Sequence, residues 1–249
     1  GDSGDTGGTG GPDTVRESFE WSQAPDNFSF PSGDTIDSGD TLRGGFSQNT
    51  GNVEVTFTAD HHGLGIETDF SIESQLVDGI QADGDPVNHH SSLESELEHS
   101  GQSVDYKLDF SEEVGDVSFR INDIDGDGVV TVRAYDADGN QIEVDLTGGD
   151  DVTLLDTDGV SGADTADSDG GRSSDTDPNY SIVVNIPGPV AQIVIEHAQD
   201  GWHDSEVNIT DVYFDAPTGV IDGGEDGDDT ISGGEGDDII YGEGGDDTI

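Results

Sequence analysis

A nine-residue phrase occurs three times at the end of this 249-residue chain and constrains its folding more than any other feature. The copies begin at Gly224, Gly233 and Gly242 and follow the pattern G-G-x-G-x-D-x-U-x, where U is a large apolar residue. The middle copy fits at every position. Glycine permits the tight turns that close such short repeats, and the apolar residues fill a thin core. The period of nine therefore favours a coil of short strands and turns over an acidic linker.

The same phrase places a carboxylate at one fixed position in every copy. Oxygen ligands of this kind suit a hard cation, and Ca2+ takes six to eight of them. We predict that the sixth-position aspartates hold the metal, namely Asp229, Asp238 and Asp247. Calcium is therefore expected as a cofactor that forms part of the fold.

These repeats resemble the RTX (repeat-in-toxin) family of Gram-negative bacteria over about the last 27 residues. The resemblance implies a parallel β-roll in which turn carbonyls join the aspartates as calcium ligands, and we assign them to Gly227, Gly236 and Gly245. Asp229 and Asp247 would share an ion, whereas Asp238 needs a fourth repeat. Because the chain stops at Ile249 within the third copy, we expect the natural polypeptide to continue. The resemblance also implies type I secretion, folding in extracellular calcium, and a secreted or cell-surface location.

Acidic residues dominate the composition. The chain has 58 Asp and Glu against six Lys and Arg, which gives a formal net charge of −52. Nucleic acids and anionic membranes attract proteins through Lys and Arg, so neither is expected as a partner. The chain has no cysteine, and it has no apolar stretch long enough for a transmembrane helix, so we expect neither disulfides nor membrane insertion.

Short runs of alternating apolar and polar residues fill the middle of the chain. The run from Val104 to Phe110 is typical, and Asp138-Gly139 reads as a type I′ hairpin turn between two such runs. We predict an all-β fold, an antiparallel β-sandwich (jelly roll) at 14–217, between a Gly/Asp-rich linker at 1–13 and the β-roll repeats at 218–249. The sandwich resembles jelly-roll modules of secreted marine bacterial proteins, many of which resemble carbohydrate-binding domains.

Two further acidic segments are candidate calcium sites. Asp123, Asp125 and Asp127 match the opening of an EF-hand loop, but the residue at its twelfth position is Ala134, so a full EF-hand is excluded. The open alternatives are a looser calcium site and an acidic hairpin loop. The long unpatterned stretch 156–177 is either a second calcium cluster or a solvated loop.

Aromatic and histidine residues give weaker signals. Trp202 follows Asp200-Gly201 in a predicted loop and is a candidate platform for a sugar ring, whereas Trp21 is expected in the core. The seven histidines lack the spacing of a zinc site, and we expect them in surface loops.

The favoured function is a calcium-binding structural or adhesive module of a large secreted or cell-surface RTX protein, in which calcium drives folding and assembly with copies of the same chain. The alternative is a calcium-dependent carbohydrate-binding module that recognises extracellular glycans. The sequence contains no nucleophile elbow or phosphate-binding loop, and we do not expect an enzyme.

The repeat assignment predicts the effect of a double substitution. Asp229→Ala with Asp247→Ala should lower calcium affinity and unfold the repeats while leaving the sandwich folded, because both side chains are assigned to one ion. Calcium titration calorimetry with circular dichroism measures both effects. An unchanged calcium stoichiometry would refute the ligand assignment.

Overall fold

The computed structural model describes residues 14–26 and 36–218, and Thr14–Pro217 forms one compact unit. The predicted linker at 1–13 and the predicted β-roll lie outside the described residues, apart from Thr218. The same holds for the six predicted repeat ligands, Gly227, Gly236, Gly245, Asp229, Asp238 and Asp247.

Fifteen strands of the described residues form two antiparallel sheets. Sheet I contains β1 (Thr14–Phe19), β4 (Glu67–Ser71), β5 (Ser92–Leu97), β9 (Asp145–Gly148), β12 (Ile182–Ile186), β14 (Ser205–Thr210) and β15 (Val212–Pro217). Sheet II contains β2 (Phe46–Asn49), β3 (Glu54–His62), β7 (Gly128–Tyr135), β8 (Gln141–Ile142), β10 (Val152–Leu155), β11 (Thr165–Ser168) and β13 (Val190–Gln199). The long strand β6 (Ser103–Asn122) belongs to both sheets.

Strand β6 connects the two layers. Its first half pairs with β3 and β13 of sheet II, and its second half pairs with β12, β14 and β15 of sheet I. Between the halves the pairing with β13 shifts register, and Asp116 has a φ of 43°. A bulge of this kind bends a strand without ending it, so two predicted strands form one.

Successive strands from β11 to β14 alternate between the sheets, as in a jelly roll. The predicted antiparallel β-sandwich is confirmed. Its core is the space between the sheets, where every second side chain in the first half of β6 is buried, including Val104, Tyr106 and Leu108. Aromatic rings close one part of the core: Trp21 is 1% exposed, as predicted, and packs edge-on against Phe19 and Phe57.

Helical structure among the described residues is limited to two 3-10 turns, Trp21–Gln23 and Pro178–Tyr180. None of the described helices has the length and apolar character needed to cross a membrane.

Two local predictions need correction. The Asp138-Gly139 turn joins β7 to β8 as expected, but only Gly139 has a positive φ, and a backbone hydrogen bond from Gly139 to Asp136 closes a longer loop. A type I′ turn needs positive φ at both central residues, so that prediction was wrong. The stretch 156–177 also contains strand β11 (Thr165–Ser168), which pairs on both sides with β10 and β7.

His197 does not lie in a surface loop, as we predicted for the histidines, but is fully buried in β13. Its Nδ1 lies 2.8 Å from Oγ of Ser95, and its Nε2 lies 2.8 Å from Oγ of Ser205. Tyr106 donates to Ser95 and is hydrogen-bonded to Thr68. These five side chains form a polar network across the core, with His197 and Tyr106 from sheet II and the other three from sheet I.

Burial lowers the pKa of His197 to about 3, so the network holds a neutral imidazole. In the unfolded chain the same group has a pKa near 6.5 and takes up a proton below that pH. Folding free energy attributable to His197 is therefore fully present above pH 6.5 and is lost as the pH falls toward 3.

Substitution of His197 should remove this pH dependence. His197→Gln keeps polar groups in the core but cannot titrate, so at pH 7.5 it should be less stable than the parent by about 1 kcal/mol. Between pH 6.5 and 5 the parent should lose about 2 kcal/mol relative to the variant, at 1.4 kcal/mol for each pH unit. Urea unfolding of both proteins measures the difference, and a gap that does not change with pH would contradict a buried neutral His197.

Candidate metal centre

Carboxylates converge on a cavity of about 140 Å³ at the end of β6. We call it the acidic cavity; its charged lining residues are Glu96, Asp123, Asp125, Arg172, Asp204 and Glu206. Among the described residues, Arg172 is the only basic side chain in this lining. Charge within the cavity is therefore mostly uncompensated by the protein.

Three carboxylates in this region have the spacing of a cation site. One oxygen each from Asp123, Asp175 and Glu206 lies within 4.8 Å of the other two. Oxygens that share one Ca2+ at about 2.4 Å lie at most about 4.8 Å apart. The ligand set contains only oxygen, which suits Ca2+ or Mg2+ better than zinc or copper.

Asp123 is the central residue of the group. It directly follows β6 with a φ of 55°, a strained value for a residue other than glycine. The residue is 6% exposed, and its Oδ1 has no hydrogen-bond partner among the described residues. Burial, followed by the charges of Asp125, Glu206 and Asp175, raises its pKa to about 8, against the opposing effect of Arg172. A buried carboxylate oxygen without a donor is the position at which a cation would be most stabilising.

Glu206 belongs to a row of like charges across sheet I. It lies directly opposite Glu96 of β5, which lies opposite Glu67 of β4. Opposed like charges destabilise a sheet, and here three occur in one row. Burial, together with Glu94, Asp175 and Glu96, raises the pKa of Glu206 to about 7. The pKa of Glu96 is raised by burial and then by Glu67 and other acidic neighbours.

Asp175 approaches Asp123 and Glu206 from the long connection between β11 and β12. Gln75 holds it there: its Nε2 donates to Oδ2 of Asp175 over 2.8 Å, and its Oε1 accepts from Asn122 at the end of β6. The backbone N–H of Leu76 donates to the carbonyl of Asp175. Position and orientation of this ligand are therefore fixed by a segment distant in sequence.

The structure divides the calcium ligands predicted at Asp123, Asp125 and Asp127. Asp125 lines the acidic cavity beside Asp123 and accepts a hydrogen bond from the Ser173 backbone, while burial raises its pKa. Asp127 instead accepts from the backbone N–H of His203 at 2.7 Å and contacts its ring at 3.0 Å. Asp123 and Asp125 therefore line one cavity, and Asp127 fixes the loop that carries Trp202.

A second carboxylate group, formed by Asp156, Asp158 and Asp164, has the same spacing but different partners. Both oxygens of Asp164 accept hydrogen bonds, from the Thr157 and Thr165 hydroxyls and from the backbone of Thr157 and Asp158. Burial acts to raise the pKa of Asp164, but these donors outweigh it and lower the pKa. Hydrogen bonds within the protein therefore already satisfy the buried carboxylate of this loop.

Of the three carboxylates that the structure brings together, sequence reasoning had singled out Asp123 as a candidate ligand. Asp175 appeared only as one of many acids in the 156–177 stretch, and Glu206 was missed because it lies in an ordinary strand pattern. The sequence signal for this group was the outward-facing side chains of Glu94 and Glu96. They predict electrostatic repulsion where the neighbouring strands also place acidic side chains outward.

Comparison with solved structures gives β-rich proteins of low identity. The enzymatically active domain of tailspike protein 4 from Bacteriophage CBA120 is 11% identical, with a TM-score of 0.33, over 71% of this chain and 20% of that chain. TmCBM61, solved with beta-1,4-galactotriose, is 11% identical, with a TM-score of 0.30, over 64% of this chain and 86% of that chain. The K1 cleaved adhesin domain of Lys-gingipain from Porphyromonas gingivalis W83 is 14% identical, with a TM-score of 0.34, over 73% of this chain and 98% of that chain.

This chain thus spans only a fifth of the tailspike chain's length. Likenesses at these scores say nothing about ligands or activity. No curated protein matches the chain.

The family comparison concerns the C-terminal repeats. Residues 223–249 match the model described as RTX calcium-binding nonapeptide repeat (4 copies). The resemblance predicted from the period of nine is confirmed. The chain therefore carries RTX calcium-binding repeats at residues 223–249, after its β-sandwich.

Proposed function

We propose that this chain is a calcium-dependent structural or adhesive module of a secreted or cell-surface protein, and that it binds calcium both in its RTX repeats and in the acidic cavity of the sandwich. The observation that carries the proposal is that buried Asp123, whose Oδ1 has no donor among the described residues, lies with Asp175 and Glu206 at the spacing of cation ligands. These residues fit Ca2+ in charge, ligand type and spacing.

A structural role for calcium follows from how the three carboxylates are held. They come from the end of β6, the β11–β12 connection and the start of β14, so an ion shared by them links distant segments. The ion would also neutralise charges that otherwise repel each other. Calcium in the cavity is therefore expected to stabilise the folded sandwich.

The proposal includes no catalytic role. An acid/base pair needs two carboxyl groups whose pKa values are pushed apart. Burial and nearby carboxylates instead raise the pKa values of Asp123 and Glu206 together. This pattern suits joint binding of one cation.

An extracellular setting is consistent with the net charge of −52. Such a chain repels itself, and millimolar divalent cations offset that repulsion. Calcium bridges between acidic surfaces of separate copies would then lead to assembly.

A second candidate role is binding of extracellular glycans, and the observation that favours it is the 92% exposure of Trp202.

Substitution of Asp123 should change the stability of the protein in opposite directions without and with calcium. At pH 9 in chelator, Asp123→Asn should be more stable than the parent, because the native carboxylate, with its pKa of about 8, is ionised and repelled there. In calcium the order should reverse. At a hundredfold excess over Kd the parent gains about 2.7 kcal/mol from the site, and the variant loses that gain.

The pH dependence in chelator has a defined sign. A carboxyl group with a raised folded pKa contributes stability at low pH that is lost as the pH rises toward 8. Asp123→Asn should therefore show a flatter decline than the parent. Thermal unfolding with and without calcium measures these effects, and Asp138→Asn in the exposed β7–β8 loop is the matched control. An equal calcium response in Asp123→Asn and parent would refute a calcium site at the cavity.

The assembly part of the proposal needs a separate measurement. Sedimentation velocity at several protein concentrations should show growth in mass with millimolar calcium and an expanded monomer in chelator. A compact monomer at all concentrations in calcium would contradict assembly and leave a calcium-binding monomeric module.

A further inference from the structure

Trp202 is the most exposed large apolar side chain of the described residues, at 92%. It lies in the loop between β13 and β14, beside Asp200, His203 and Asp204. His203 is also largely exposed, and its Nδ1 contacts Asp127, so its Nε2 faces away from that contact. The indole face and adjacent polar groups thus form one exposed surface, which we call the Trp202 platform.

The loop that carries the platform is held rigidly by Asp127. This carboxylate accepts the His203 backbone N–H, and the N–H of Asp200 donates to the Asp127 carbonyl at 3.1 Å. Gly201 packs so closely that a Cβ there would lie 2.1 Å from Oδ2 of Asp127. A Cβ at Gly126 would likewise lie 2.2 Å from the carbonyl of Asp204. An exposed side chain on a fixed loop binds a ligand without the cost of ordering that loop.

A second highly exposed apolar side chain lies in the β3–β4 loop. Leu64 is 91% exposed, and its carbonyl accepts a hydrogen bond from Nε2 of the buried Gln102. The carbonyl of Gln102 accepts from the backbone of Gln199, whose side chain donates to the carbonyl of Gly201. Buried amides therefore connect the loop of Leu64 to the loop of Trp202 through hydrogen bonds.

The chemistry of the platform selects one class of ligand. The face of an indole carries partial negative charge and attracts the polarised C–H groups of a pyranose ring, while the polar neighbours can exchange hydrogen bonds with its hydroxyls. The acidic surroundings disfavour anionic polymers. The site is an open surface and not an enclosing pocket of the kind that buries a small molecule, so it suits an extended chain. We propose that the Trp202 platform binds a neutral polysaccharide, an inference that rests on the second candidate role, glycan binding, and specifies its ligand.

Tryptophan fluorescence provides a direct test, because the chain has only two tryptophans and Trp21 is buried. Acrylamide should quench Trp202 in the free protein. In saturating calcium, at least one of dextran, galactan and soluble mannan should protect Trp202 from quenching. The carboxymethylated form of the same polysaccharide should bind more weakly.

Three variants identify the surface. Trp202→Ala should weaken binding about tenfold or more, measured by affinity electrophoresis, and Trp202→Phe should retain part of the affinity. Asp127→Ala should also weaken binding, because it releases the loop while leaving the indole in place. Glu206→Gln, tested in parallel, distinguishes this proposal from the calcium site: it should lose the calcium-dependent stabilisation of the sandwich but keep Trp202-dependent binding.

Protection by none of the three neutral polysaccharides would overturn the proposal. So would polysaccharide binding that persists in Trp202→Ala, or protection of Trp202 only by phosphatidylcholine vesicles. A normal calcium response in the same preparation would show that such a failure concerns the platform and not the calcium-dependent fold.

Discussion

Repulsion between carboxylates is the constraint on which the rest of this structure depends. The row Glu67, Glu96 and Glu206 crosses three strands of sheet I and ends beside Asp123 and Asp175 at the acidic cavity. Two like charges in register weaken a sheet by up to about 1 kcal/mol, and burial adds to that cost because it removes the screening of water. The basic side chain available in the cavity is Arg172. A divalent cation removes more of this repulsion than one exposed arginine can.

A strongly acidic chain can still fold as a sandwich because its charges and its core occupy alternate positions. In β5, Leu93, Ser95 and Leu97 face inward and Glu94 and Glu96 face outward. The apolar positions of both sheets meet in one continuous core, and the bend in β6 keeps the two sheets covalently connected. The core thus provides the driving force for folding, while the outward positions remain free to carry ligands.

The extent to which the sequence predicted this structure depends on the range of the interactions. The period of two identified the β-sandwich, and the period of nine identified the repeats, because both are local patterns. The metal centre was predicted only around Asp123, since its other carboxylates, Asp175 and Glu206, approach through strand pairing and through Gln75. His197 was misplaced for a related reason. Its partners Ser95 and Ser205 lie in the opposite sheet, and no spacing in the sequence indicates that they meet.

Calcium is expected to act over different distances in the two parts of the chain. In the repeats the proposed ligands recur every nine residues, so an ion there would close short turns and stabilise structure locally. In the sandwich Asp123, Asp175 and Glu206 are widely separated in sequence and lie at the ends of different elements. An ion there would join segments that only the complete fold brings together, so its binding free energy would add to the cooperative stability of the whole sandwich. Loss of calcium would therefore affect the repeats turn by turn but the sandwich as a single unit.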